Sequence, residues 1–246
     1  EGARILGCST GLALVGDAHR LLQQRLLLLV RGKMHLGSET IERKHTLSSK
    51  PAPRRVGILG GMGPAATVDL MAKVLAATPA RNDDEHVPLI VWNVPQVPSR
   101  PAAMRGEGPS PLPAMLEGAR FLQGAGATAL AIACNTAHHW AAALQMAVKI
   151  PLLHIADAAV AELVARKPPP TTVGLLGTRE TLQAGIYQDR MAAHGISTLE
   201  PDAAMQGAID RAIARIADPQ HGAFARRQAQ AVGATERQLR YRLSTG

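Results

Sequence analysis

Cysteine is nearly absent from this chain of 246 residues: Cys8 and Cys134 are the only two. Two thiols are too few for a disulfide scaffold, so a reducing, cytoplasmic setting is expected, and any thiol chemistry must rest on these two positions. Aromatic residues are scarce as well, at 2%. The core must then be Ala, Leu, Ile and Val, which suits helices packed closely on a sheet, and there are no interleaved aromatics to stack on bases. The middle of the chain also lacks an excess of either charge. The net +8 comes from the two ends, +4 in residues 1–50 and +5 in 211–246, while 51–210 sum to −1. A nucleic-acid partner is therefore not expected for the body of the protein. Nor is a membrane, because the run Leu26-Leu27-Leu28-Leu29-Val30 is short and flanked by Arg25 and Arg31.

What is present is an alternation of short apolar runs with helical patterns, the mark of parallel α/β layers. Residues 38–55 are polar and proline-bearing and read as a linker. After them the pattern predicts strands at 56–59, 87–92, 128–133, 151–154, 173–176 and 196–199. It predicts helices at 64–77, 112–125, 136–148, 156–166, 179–194 and 203–217. The spelling V-G-x-L-G opens both Val56-Gly57-Ile58-Leu59-Gly60 and Val173-Gly174-Leu175-Leu176-Gly177, a modest sign of internal duplication. The expected organisation is an N-terminal extension and linker over 1–53, a first α/β domain over 54–167, a partial second α/β domain over 168–234, and a basic tail over 235–246. Glu1 is an unusual start and Met34 a candidate initiator, which would make 1–33 upstream sequence.

Candidate functional residues cluster where predicted strands end. Cys134-Asn135-Thr136-Ala137 follows one strand and precedes one helix, where open α/β sheets hold ligands and where a helix start favours a thiolate. The bland alternative is a buried structural thiol. Gly60-Gly61-Met62-Gly63-Pro64 joins a strand to a helix, so its backbone N–H groups can converge on an anion. Gly61, Gly63 and Ala66 satisfy G-x-G-x-x-A, but Asp83, Asp84 and Glu85 precede the second strand instead of ending it. A small carboxylate is thus favoured over a dinucleotide, with a plain tight turn as the remaining reading. Asn93, Gln96 and Arg100 lie on a proline-stiffened loop after the second strand, and arginine suits bidentate carboxylate capture, although such loops are often only solvated. His138, His139 and His154 lack the spacing of a zinc site, so no metal is expected.

Taken together, V-G-I-L-G-G-M-G-P-A-A-T, N-V-P-Q-V-P-S-R, A-C-N-T-A-H, P-L-L-H-I and L-L-G-T-R-E-T-L-Q-A-G-I-Y-Q resemble the aspartate/glutamate racemase family in order and spacing, over about 55–210. The branch it resembles is the one close to aspartate racemase. The resemblance implies two pseudo-symmetric α/β domains, a substrate between them, no pyridoxal phosphate or other cofactor, and a homodimer. It implies two facing cysteines acting as acid and base on an aspartate- or glutamate-like amino acid. Cys134 would be the first, with Gly61, Met62, Gly63, Asn93, Gln96, Asn135, Thr136 and Thr178 around the substrate and Arg100 on its distal carboxylate.

This chain departs from the family's pattern in several places. The expected C-terminal G-C-T-E segment is missing: after Val232-Gly233-Ala234 comes polar Thr235-Glu236-Arg237-Gln238-Leu239-Arg240. Loss of that strand predicts an unpaired sheet edge in the second domain. Gly2-Ala3-Arg4-Ile5-Leu6-Gly7-Cys8-Ser9-Thr10 resembles the missing segment at the opposite end of the chain, which makes Cys8 the candidate second thiol. Gln183 stands where the branch carries lysine, and Ser99 where it carries an acid, so aspartate specificity is open. Two alternatives remain: a one-cysteine decarboxylase or maleate-type isomerase of the same superfamily, and a non-catalytic carboxylate-binding protein.

Overall fold

The computed structural model describes residues 4–5 and 54–217. Its elements in chain order are β1 (Arg4–Ile5), β2 (Val56–Gly60), α1 (Pro64–Ala77), β3 (Leu89–Asn93), α2 (Arg100–Met104), α3 (Leu112–Gly124), β4 (Ala129–Ile132) and a 3₁₀ turn (Thr136–Trp140). There follow α4 (Ala141–Ala147), β5 (Leu152–Leu153), α5 (Ile155–Ala165), β6 (Thr172–Gly174), α6 (Arg179–Gln183), α7 (Gln188–Ala192), β7 (Ser197–Leu199) and α8 (Ala203–Ala217).

Side chains on successive strand residues point to opposite faces, so a strand buried on both sides feeds two cores at once. On β2, Val56 and Ile58 join one cluster and Leu59 the other; on β4, Ala129 and Ala131 join the first, Leu130 and Ile132 the second. Leu70 and Val74 of α1 and Ala159, Val160 and Leu163 of α5 cover the first face, while Met115, Ala119 and Leu122 of α3 and Leu144 of α4 cover the second. The buried residues of α1, Thr67, Leu70 and Val74, fall at helical spacing, and Pro64 opens the helix where its missing N–H costs nothing.

The first sheet is entirely parallel, in the order β3-β2-β4-β5. From β2 the chain crosses to β3 on one side and then to β4 on the other, so the crevice between the carboxyl ends of β2 and β4 is a topological switch point. The second sheet, again parallel, has the order β1-β6-β7. Its packing continues that of the first: Val173, Leu175, Leu182, Ile186, Met191 and Ile196 belong to the same cluster as Val56 and Ile58.

The α/β fold with parallel sheets and flanking helices is thus as the alternation predicts, with three differences. First, the helix predicted over 136–148 begins as a 3₁₀ turn and becomes α-helical only at Ala141. Second, the helix predicted over 179–194 is two short helices, because Gly185 takes φ of +65°, a left-handed conformation that ends α6 and that glycine adopts without penalty. Third, β6 is paired on both sides, with β7 on one and with β1 on the other through Arg4↔Val173 and Ile5↔Gly174. The N-terminus therefore contributes to the second sheet, where the sequence predicted an unpaired edge. Residues 235–246, including the predicted basic tail, lie outside the described residues. Among the described residues no helix is long and apolar enough to cross a membrane, and no cluster of His, Cys, Asp and Glu is arranged to hold a metal.

Candidate active site

In-register pairing brings three predicted segments to one sheet edge. Leu59 is opposite Trp92 on one side and Ile132 on the other, and Gly60 is opposite Asn93. Gly61, Asn93 and Cys134 consequently leave their strands at nearly the same level, at the switch point.

The glycine loop is held from beneath by Thr67, which is completely buried. Its Oγ1 accepts the Gly61 N–H at 3.0 Å and donates to the Gly63 carbonyl at 3.4 Å. Gly61 has φ of +88°, and a Cβ there would lie 2.2 Å from the Val94 carbonyl oxygen. Gly61 therefore shapes the loop and lets it touch the loop after β3, and its amide is engaged inside the protein. Met62 is buried and Gly63 exposed.

Arg100 binds the same two loops together. Its Nη1 donates to the carbonyls of Val97 (3.2 Å) and Pro98 (3.0 Å), and its Nη2 to that of Met62 (2.9 Å). Three of its five N–H groups are thus directed at backbone, leaving Nε buried without a partner among the described residues. Ser99 caps α2 by accepting the Ala102 N–H at 3.3 Å. Asn93 and Gln96 are exposed beside this clamp, and Gln183 is exposed at the end of α6.

Cys134 is half-buried and packs against the cluster that contains Leu59, Met62 and Ile132. The residues after it reach the second half of the protein. Thr136 shares hydroxyl hydrogen bonds with Thr178 (3.2 Å) and Thr181 (2.9 Å), which bond each other at 2.8 Å. Thr178 also caps α6 by accepting the Thr181 N–H at 3.3 Å. Asn135 Oδ1 accepts the Tyr187 hydroxyl. Arg105 pairs with the buried Glu180, again joining the two halves. Thr181, Glu180 and Tyr187 were not singled out in the sequence. Thr178 and Thr181 at an N-cap spacing were a legible signal; nothing local marks Tyr187 or Glu180.

His138 completes the scaffold of the Cys134 turn. Its Nε2 accepts the Ile155 N–H at 3.3 Å, and Nδ1 lies 2.8 Å from the Cys134 carbonyl, which can only accept; the proton is therefore assigned to Nδ1. His154 stacks edge-on against it with ring centroids 4.6 Å apart, and its own Nδ1 accepts the Ala156 N–H. Burial, and then the nearby His138 and Arg190, push His154 from 6.5 down to about 2. A depressed histidine is neutral when folded and protonates below 6.5 when unfolded, so stability is full above pH 6.5 and is lost as pH falls. At about 1.4 kcal/mol per pH unit, the protein is expected to lose about 2 kcal/mol between pH 7.5 and 5 from this residue alone. Urea unfolding at the two pH values checks this: His154→Asn, which keeps an N-cap acceptor, should remove most of the difference, and an unchanged difference would contradict the assignment.

The Asp/Glu/Hydantoin racemase family model matches residues 59–237. The chain belongs to this family. The broad specificity amino-acid racemase RacX of Bacillus subtilis (strain 168) is 30% identical over 172 residues, covering 68% of this racemase-family chain and 72% of RacX. Among solved structures, the aspartate racemase of Picrophilus torridus superposes with a TM-score of 0.60 at 30% identity, covering 72% of this chain and 73% of the other. An aspartate racemase homologue from Pyrococcus horikoshii OT3 gives 0.53 at 25% identity, covering 64% and 69%. The racemase fold of these relatives is the fold described above, and its second sheet in this chain has three strands among the described residues, including one from the N-terminus. Cys8, three residues beyond β1 in the sequence, lies outside the described residues.

Proposed function

We propose that this protein is a cofactor-independent amino-acid racemase acting on aspartate, glutamate or a close dicarboxylate analogue, with Cys134 as one acid/base and Cys8 as the other. The observation that carries the reading is the placement of Cys134-Asn135-Thr136 at the switch point, with Asn135 and Thr136 hydrogen-bonded to the second half of the protein. The chemistry calls for two thiols because one group can return a proton only to the face it took it from. One thiolate removes the α-proton, the C–H electron pair delocalises into the carboxylate, and the opposite thiol delivers its own proton to the other face. The product leaves with inverted configuration, and the thiol and thiolate have exchanged places.

An α-proton is far less acidic than a thiol, whose reference pKa is about 8.5. The site must therefore stabilise the charge that develops on the carboxylate. Donors at Met62, Gly63, Asn135 and Thr136 supply this in the proposal, with Thr178 positioning Thr136. Asn93 and Gln96 face the distal end, and Arg100 holds their loop against the glycine loop. Support for Cys8 comes from β1: Ile5 pairs with Gly174, and Cys8 follows Ile5 by three residues as Gly177, next to Thr178, follows Gly174. In this reading the N-terminal strand takes the place of the family's C-terminal one.

The test is proton NMR of L- and D-aspartate and L- and D-glutamate in deuterated water with the full chain. Loss of the α-proton signal with appearance of the opposite enantiomer is expected. Binding without exchange would overturn racemisation in favour of a non-catalytic carboxylate-binding protein. In a second reading Cys134, the free thiol among the described residues, acts alone and protonates a carbanion. Turnover of a 2-aryl malonate or of maleate, with none of aspartate or glutamate, would select it.

A further inference from the structure

We infer that Tyr187 is the residue that makes this site selective for a carboxylate, by locking the side-chain amide of Asn135 so that its NH₂ group faces the ligand. The inference rests on the proposed binding of an amino acid beside Cys134.

The argument begins with burial. Tyr187 is 5% exposed and packs in the core with Leu182, Ile186 and Met191. Its hydroxyl donates to Asn135 Oδ1 across 52 positions of sequence. Burial raises the phenol well above its ordinary range, so it carries its proton throughout the physiological range and remains a donor. A flipped Asn135 would bring NH₂ to the phenol and leave the buried O–H without an acceptor, which is unfavourable. The hydrogen bond thus fixes which end of the amide is which. Among the described residues, Asn135 Nδ2 has no hydrogen-bond partner, so two amide hydrogens remain for a ligand next to Cys134.

A free asparagine is ambivalent: it serves a carboxylate with its NH₂ or a carboxamide with its C=O. With the oxygen end held toward the Tyr187 hydroxyl, the opposite end of the amide is always the NH₂ donor. A carboxylate, which only accepts, is matched; an amide turns its own donors against Asn135. The lock is assembled from both halves, since Asn135 follows β4 while Tyr187 precedes α7. Carboxylate selection is accordingly a property of the closed pair of halves rather than of the Cys134 turn alone.

The experiment compares L-aspartate with its α-carboxamide as ligands of the full chain by titration calorimetry, alongside KM and kcat for the amino acid. The wild type should bind the carboxylate at least about tenfold tighter than the amide, the worth of one or two hydrogen bonds. Tyr187→Phe keeps the ring and removes the hydroxyl; the preference should fall to near parity, with KM rising and kcat changing less. Asn135→Asp makes the same test without altering the core, and should abolish carboxylate binding by replacing the donor with a negative oxygen. A wild-type preference retained in Tyr187→Phe, or carboxylate binding retained in Asn135→Asp, would overturn the lock while leaving the racemase reading intact. A wild type that binds neither ligand of this pair nor of the corresponding L-glutamate pair would overturn both.

Discussion

Cys134→Ala is expected to lose racemisation by roughly 10²–10⁴-fold, the usual worth of a positioned acid/base group. The substitution removes one sulfur from a half-buried position and leaves the Cys134 carbonyl, with its His138 contact, in place, so the fold should survive. The informative result is the stereochemical pattern of what remains. If Cys8 serves the opposite face, Cys134→Ala still exchanges the α-hydrogen of one enantiomer, without inversion, and Cys8→Ala exchanges only that of the other. Chiral chromatography of products and NMR in deuterated water separate the two patterns. If Cys134 acts alone, its removal ends all exchange and Cys8→Ala changes nothing. Racemisation persisting in Cys134→Ala would remove the thiol from the mechanism altogether.

Gly61→Ala should unfold the protein more readily by about 3–5 kcal/mol. Two penalties add: a left-handed conformation that alanine rarely adopts, and a Cβ 2.2 Å from the Val94 carbonyl oxygen. Neither partner can move aside easily, because Thr67 holds the glycine loop and Arg100 ties Met62 to the Val97-Pro98 segment beyond Val94. Gly63→Ala is the control, since a Cβ there meets nothing within 4 Å, and it should cost no more than about 1 kcal/mol. Urea midpoints for the pair decide the matter, and equal midpoints would mean that the loop approach is not as described. Ligand affinity should fall with Gly61→Ala even where the fold persists, because the loop's contact with the neighbouring strand's end positions Met62 and Gly63, the proposed substrate donors.

Those two residues also show how legibility in the sequence is divided. Gly61 and Cys134 stand out because each follows an apolar strand and precedes a helical pattern, a local signal that needs no knowledge of the rest of the chain. Helix α1 agrees with its prediction over Pro64–Ala77, and α8 over Ala203–Ala217, because both have helical periodicity and, in the first, a proline at the start. The region after Thr178 is less legible. Arg179 to His194 carries a helix-like pattern throughout, and only the left-handed φ of Gly185 divides it. The chemistry of Arg100 suits carboxylate capture, yet a guanidinium donates to whichever acceptors surround it, and in the structure three of its N–H groups go to backbone carbonyls.

The sequence by itself determined the α/β class, the positions of the strand ends and, through the conjunction of its motifs, the racemase family. These follow from periodicity and from short segments whose neighbours in space are their neighbours in sequence. Only the tertiary structure decided that β1 pairs with β6, that Tyr187 holds Asn135, that Glu180 meets Arg105, and that His154 is kept neutral beside His138. Each of these joins residues far apart in the chain, and its energy comes from a partner's burial and geometry, which no local pattern encodes.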